Sequence, residues 1–383
     1  MDQAKELSEL HKLLIYFSNH NGSDLFITAG RPATMKREGS LVNLTQEKLL
    51  PNITKELCYQ LMNDSQVKSF EETQECNFAY HIEGIARYRV NVFVQRGSVG
   101  MVIRSVKTEI PEFESLRLPS ILKEVIMDKN GLVLIVGGTG SGKSTTLASL
   151  VDIRNSTKEG HIISIEDPIE FMHSHKKSIV TQREVGVDTE DYAHALKNTL
   201  RQAPDVILIG EIRSRQTMEH AIAFAETGHL CLSTLHANNT NQVLERIINF
   251  FPASDRSHIL MDLSINLKAV VSQRLVPKIG GGLIAAVEVL LNTPRISELI
   301  YKGDTIEIKE VMQKSGALGM QTFDQALFDL YESGLIEYKD ALRTADSMND
   351  LRLNIKLNSK LPAPEEELEE ATGSSASFSL KEE

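Results

Sequence analysis

Chemistry is concentrated in one short stretch, VLIVGGTGSGKSTTLASL, where Gly137, Gly142, Lys143 and Ser144 match GxxxxGK[ST]. The nine residues Gly137, Gly138, Thr139, Gly140, Ser141, Gly142, Lys143, Ser144 and Thr145 would form a phosphate cradle. Glycines let backbone N–H groups turn inward on an anion, and a helix N-terminus adds positive potential. Lys143 would neutralise the outer phosphates, and the Ser144 hydroxyl would ligate Mg²⁺. The expected ligand is therefore ATP with Mg²⁺. Hydrolysis needs acidic groups at neighbouring strand ends, to hold the metal through water and to orient the attacking water. Two clusters fit. IISIEDPIEF puts Glu166 and Asp167 directly after an apolar run, and DVILIGE ends another run with Gly210 and Glu211.

Two weaker groups accompany these. TGHLCLSTLHANN sets His229 and His236 at the two ends of one strand-like run; a satisfied structural histidine and a sensor of the terminal phosphate are both open readings. Arg87, Arg89 and Arg104 fall on neighbouring strand-like runs. They suit either a solvated polar sheet face or a charge-stabilising reach to phosphates across an interface.

The elements that must position these groups are legible from periodicity. Leu7, Leu10, Leu14 and Phe17 have the spacing of a one-faced helix. Ala86 to Gln95 alternates, with Tyr88, Val90, Val92 and Val94 on one face and Arg87 and Arg89 on the other. Residues 1–106 read as a small α/β domain, and 107–120, with two prolines, as a linker. The Leu132–Val136 run, the glycine loop and a helix from Lys143 open a second pattern. Strand-like runs recur at Ile162–Ile165, Ile179–Gln182, Val206–Ile209 and Leu230–Leu235. Alternation of this kind predicts a mainly parallel sheet covered on both faces. Beyond about 240 the chain reads as helical, broken by a hairpin at Gly280–Gly282, and the whole segment 121–355 as one domain. The stretch 356–383, rich in Glu, Pro and Ser, reads as a disordered acidic tail.

Composition excludes several classes. The chain has 41 basic against 52 acidic residues, a formal charge of -11, which argues against a protein that coats nucleic acid or anionic lipid. Residues 361–383 hold seven Glu and one Lys, a net of -6, so the remaining body is only mildly acidic. No apolar run approaches the length of a membrane span, and MDQAKELSEL lacks the basic and apolar parts of a secretory signal. A cytoplasmic location is the expectation. The three cysteines are too far apart for a CxxC pair or a four-ligand zinc site.

Taken together, the motifs resemble those of the secretion and type IV pilus motor ATPases. GGTGSGKSTT is similar to their Walker A, IEDPIEF to their Asp box, LIGEIR to their Walker B and TGHLCLSTLHANN to their His box. The resemblance covers about Ala86 to Gln325. It implies a homohexameric ring in which a PAS-like N-terminal domain and a RecA-like ATPase domain, with C-terminal helical additions, clamp ATP. By the same resemblance Glu211 activates water, Glu166 (to Mg²⁺ through water) and Asp167 assist, His229 and His236 couple phosphate to ring motion, and the arginines reach a neighbour's site.

Within that group QREVG and GMQTFDQAL resemble the retraction ATPases of the PilT/PilU family, and the tetracysteine insertion of the assembly motors is absent. PilT-type chains carry AIRNLIRE where this one reads PRISELIYKGD, keeping Ile296, Leu299 and Ile300. The ending YKDALRTADSMNDLRLNIKL, with its acidic continuation, resembles the PilU type. The implied role is accessory pilus retraction through a PilT-type ATPase. The ring would sit at the inner-membrane face on a pilus platform protein, held there by partners alone, with no nucleic acid involved.

Overall fold

A computed structural model describes residues 8–37, 39–82, 85–106 and 109–361. Of the tail expected at 356–383, residues 356–358 are helical instead; the rest from 362 on, and the start of the expected linker at 107–108, lie outside the described residues. In chain order the first elements are α1 (Glu9–Asn19), β1 (Asp24–Ile27), β2 (Thr34–Arg37), β3 (Ser40–Asn43), α2 (Pro51–Leu61), α3 (Asp64–Thr73), β4 (Glu75–Ile82), β5 (Ala86–Gln95) and β6 (Ser98–Val106). Next come α4 (Ile121–Val125), β7 (Gly131–Val136), α5 (Lys143–Thr157), β8 (Gly160–Glu166), β9 (Ser178–Glu184), α6 (Tyr192–Thr199), β10 (Val206–Ile209), α7 (Arg215–Glu226) and β11 (Leu230–Leu235). The remainder is α8 (Thr240–Asn249), α9 (Arg256–Asn266), β12 (Leu267–Pro277), β13 (Leu283–Leu291), α10 (Pro294–Lys302), α11 (Thr305–Lys314), α12 (Phe323–Glu332), α13 (Tyr338–Thr344) and α14 (Met348–Asn358). Among the described residues no helix is long and apolar enough to cross a membrane.

The chain divides into two compact units, Met1–Pro111 with Arg154–Glu211, and Glu112–Ile153 with Ile212–Glu383. The first unit carries an antiparallel sheet in the order β3-β2-β1-β6-β5-β4. One face of it meets the apolar stripe of α1 (Leu10, Leu14 and Phe17, all fully buried) together with Leu57 and Phe70 of α2 and α3. Tyr88, Val90 and Val92 of β5 enter this core as the alternation predicts. Val94 does not; it is 37% exposed. It sits beside a two-residue turn, Arg96 and Gly97, both at positive φ. That turn matches the twist of the hairpin strands and carries the chain beyond the helical cover. The same unit holds β10, β8 and β9, paired in parallel. β10 is buried along its whole length, the mark of a strand covered on both faces.

In the second unit the order is β13-β12-β7-β11. β7 is parallel to both β11 and β12, and β13 returns antiparallel beside β12. Every residue of GLVLIV and LCLSTL is buried. The predicted hairpin at Gly280–Gly282 is present, with three consecutive glycines at positive φ, and its strands of 11 and 9 residues break the helical region between α9 and α10. A smaller core, Phe323, Leu327, Tyr331, Leu342, Leu351 and Ile355, packs α12, α13 and α14 against Val276, Ile284 and Ala286 of those strands. Cys58 and Cys231 are buried and free, and burial pushes the Cys58 thiol up to about 12, so both serve as small inert core side chains.

Candidate active site

The phosphate loop leaves β7 and enters α5, as its sequence requires. Gly137, Gly140 and Gly142 all have positive φ. A Cβ on Gly137 would collide with the Ser141 hydroxyl and the Gln273 carbonyl, and one on Gly142 would lie 2.8 Å from Gln273 Nε2. Lys143 Nζ donates to the carbonyls of Gly137 (2.9 Å) and Gly138 (2.8 Å), which places its charge inside the loop. Ser141 Oγ is buried and has no hydrogen-bond partner among the described residues. A cradle that side chains would fill, a cation aimed into it and an orphaned hydroxyl suit a polyphosphate. For Mg²⁺, which keeps several waters and takes few protein oxygens, the Ser144 hydroxyl at the first turn of α5 is a sufficient protein donor.

Gly137→Ala should therefore weaken nucleotide binding at least about tenfold, because a positive-φ strain of roughly 1–3 kcal/mol adds to the overlap. Titration with a fluorescent ATP analogue measures this, and an unchanged affinity would contradict the assignment of the loop.

His236 directly follows β11, and the β7/β11 register pairs Val136 with Leu235. The residues after both strands, Gly137 and His236, thus leave the same edge of the sheet. His236 also borders an open groove of about 400 Å³ with Gln242, Arg246 and Phe250. His229 is at the other edge. Its carbonyl accepts from Gly131 N at the start of β7, and its Nδ1 meets Thr227 Oγ1 at 3.1 Å and the Phe224 carbonyl at 3.3 Å. With the six residues of β11 between them, the two histidines are seven rises apart, about 23 Å at the usual rise per residue.

In the first unit, parallel pairing gathers the acids at one edge. Ile165 pairs with Ile209, and Glu166 with Glu184. The ends of β8, β9 and β10 therefore present Glu166, Glu184 and, one residue past Gly210, Glu211. A Cβ on Gly210 would lie 3.0 Å from the Tyr192 hydroxyl and 3.1 Å from Glu166 Cα, so glycine lets these strand ends close up. Asp167 precedes a cis peptide bond to Pro168.

The arginines meet acids of their own chain. Arg89 Nη2 is 3.7 Å from Asp167, and Arg87 Nη2 is 3.6 Å from Glu184 and 3.7 Å from Asp188. Both are long for hydrogen bonds, and Arg87 Nε is buried with no partner among the described residues. Arg104 faces Asp24 across the β1/β6 ladder and pairs with it at 2.9 Å. Burial raises the Glu184 carboxyl despite the Arg87 charge beside it.

Glu166 is shifted furthest of these. Burial pushes its carboxyl up to about 7, although Ser164 and Gln182 both donate to Oε1 and pull it back. A raised carboxyl costs stability only where it must ionise in the fold. The cost is absent below the ordinary value of 4.5, grows as pH rises toward 7 and then levels off. Glu166→Gln keeps an oxygen that accepts from both donors. The variant should match the parent's denaturation midpoint near pH 4.5 and exceed it at pH 8, and an equal difference at both pH values would refute the burial argument.

Sequence reasoning missed two parts of this site. Glu184 lies within QREVG, which carried a family resemblance but assigned the glutamate no role. The other is a pocket of about 230 Å³ beside the phosphate loop, lined by Thr145, Gln273, Leu116, Leu275 and Leu283 with Arg117 and Lys278 at hand. Its apolar walls and position beside α5 give room for a flat ring attached to a polyphosphate. Four separate segments build it, so no local pattern announces it.

Comparisons with known proteins agree with this geometry. The family model "Type II/IV secretion system protein" matches residues 104–283. The type IV pilus ATPase PilU of Pseudomonas aeruginosa is 58% identical over 356 residues, covering 93% of each chain. PilT of the same organism, a type IV pilus retraction ATPase, is 40% identical over 337 residues, covering 88% of this chain and 98% of its own. A crystal structure of the pilus retraction motor PilT with bound ADP superposes with a TM-score of 0.84 at 42% identity, over 91% of this chain and 100% of that one. With identity of this extent across nearly the whole length, the chain belongs to the type IV pilus ATPase family of PilU and PilT.

Proposed function

We propose that the protein is a Mg²⁺-dependent ATPase of type IV pilus retraction, assembled as a hexameric ring and acting as an accessory motor together with a PilT-type ATPase. The observation that carries this reading is the phosphate loop, with Lys143 inside it and Ser141 Oγ orphaned beside it, in a chain similar to PilU over 93% of its length. Mg²⁺, which Ser144 would hold, would supply positive charge at the outer phosphate oxygens. Lys143 binds the same oxygens, Ser144 supplies the protein ligand, and the pocket at Leu275 and Leu283 takes the base.

In this reading Glu211 orients the attacking water and Glu166 and Asp167 support the metal's water shell. Arg87 has donors to spare for a terminal phosphate, and Arg89 and Arg104 line the same face of the sheet. His236 senses the phosphate from the loop's own edge. His229, at the far edge, serves a contact elsewhere in the ring. The N-terminal sheet corresponds to the PAS-like domain and the parallel strands to the RecA-like domain. Work at a pilus platform protein places the ring at the cytoplasmic side of the inner membrane, reached through partners.

Deletion of the gene in strains with and without PilT, scored for twitching and pilus retraction, tests the role. Weakened retraction only where PilT is present supports the accessory motor. Normal motility in every background refutes it. An ATP-binding ring that merely braces PilT would instead keep full force with Glu211→Ala.

A further inference from the structure

Gln273 and Arg274 are consecutive on β12, so their side chains leave opposite faces of the sheet. Gln273 belongs to the phosphate loop: its Oε1 accepts from Thr146 Oγ1 at 2.8 Å, and its carbonyl and amide close on Gly137 and Gly142. Arg274 reaches the other way. Its Nη2 donates to the Asn238 carbonyl (3.0 Å), two residues past His236, and to Asp346 Oδ1 (2.6 Å), and its Nη1 donates to the Thr344 carbonyl (2.7 Å). The guanidinium lies 4.0 Å over the Phe323 ring. Asp346, 8% exposed, also binds Lys309 of α11 at 2.8 Å. The turn that holds it is fixed by Asp324 of α12, which accepts from the backbone N–H groups of Asp346 and Ser347.

A buried ion pair is a poor way to gain stability, since apolar groups of similar volume often do as well or better. What the pair offers is a defined geometry. A planar guanidinium that grips a turn carbonyl with the same nitrogen that binds a carboxylate ties the two positions together. Asn238 has little independent freedom, because its N–H donates to Gln242 Oε1 at 3.0 Å. The next turn of chain is anchored too, with Thr240 N and Oγ1 both donating to Glu288 at 2.7 Å.

We propose that Arg274 is a positioning residue for ATP hydrolysis, which holds the turn after His236 in register with the phosphate loop and passes its position through Asp346 to the C-terminal helices. This rests on the nucleotide reading of the loop. When the turn shifts, Arg274 must move with the Asn238 carbonyl, and Asp346 and Lys309 follow. Lysine keeps the charge but has no planar fork, so Arg274→Lys breaks the three-way grip without leaving Asp346 unpaired.

The test uses the full chain and ADP. In the parent, ADP should slow amide exchange at 137–146, 237–242 and 345–352. In Arg274→Lys, protection at 137–146 should remain and that at 345–352 disappear, while kcat for ATP falls about tenfold and KM stays within about twofold. Leu351→Ala, which opens the buried core of the same helices but leaves the Arg274 bonds to Asn238, Thr344 and Asp346 in place, should keep kcat within about twofold. Three results overturn the proposal: parent protection at 137–146 without any at 345–352, protection at 345–352 surviving in Arg274→Lys, or Leu351→Ala losing as much kcat as Arg274→Lys. If ADP leaves 137–146 unprotected even in the parent, the nucleotide reading falls and the relay falls with it.

Discussion

Lys143→Ala is expected to yield a folded protein that hydrolyses ATP at least about a hundredfold more slowly than the parent and binds it more weakly. The ammonium sits within the loop, held by the Gly137 and Gly138 carbonyls. In a phosphoryl transfer it stabilises negative charge in both the ground state and the transition state, and loss of one such preorganised donor costs roughly 10²–10³ in rate. Folding has little stake in it: the β7 strand that positions the loop is buried through Leu132–Val136 and does not depend on the lysine. Mg²⁺-dependent phosphate release and analogue binding, measured with a thermal melt, check all three parts. Hydrolysis equal to the parent's would refute the assignment of the loop.

Glu211→Gln should separate binding from chemistry. The carboxylate follows Gly210, whose N–H donates to the Ile165 carbonyl at 2.7 Å and locks the end of β10 to the end of β8. The backbone place of Glu211 is thus fixed by strand pairing, and an amide of the same shape fits there. A positioned base contributes about 10²–10⁴ in rate, so kcat should fall by that much while ATP affinity changes by no more than a few-fold. The variant would hold ATP unhydrolysed, whereas Lys143→Ala holds it poorly. Single-turnover assays with radiolabelled ATP distinguish them, and a normal single-turnover rate would move the catalytic role to Glu166.

The sequence carried the parts of this site that are local. GGTGSGKSTT needs only a strand before it and a helix after it, and the continuous apolar runs of β7, β10 and β11 supply the edges at which Gly137, Glu211 and His236 stand. Partnerships set by register were hidden. Nothing in the alternation of β5 shows that Arg87 meets Glu184, about a hundred positions onward. The run LKAVVSQRLVP obscured β12 for another reason. Ser272, Gln273 and Arg274 look like an interruption of an apolar strand, yet Ser272 and Gln273 are almost fully buried, because Thr146, Thr240 and Asp346 satisfy this stretch from elements far away in sequence. The length of the expected hairpin was hidden on that account, and the pocket built against it was invisible for the same reason.

The bond between Thr146 and Gln273, 127 residues apart, has a consequence for biosynthesis. The floor of the phosphate loop is a strand that the ribosome has not yet made when the loop itself emerges. At bacterial translation rates of about 5–20 residues per second, the GKS segment waits roughly 10 s for β12 to pair with β7. During that interval the apolar LVLIV strand lacks β12 on one edge and, until β11 has been made, its partner on the other edge too. Nascent chains stalled before residue 277 should accordingly fail to retain ATP and should associate with chaperones, while those stalled well beyond it bind nucleotide before synthesis ends.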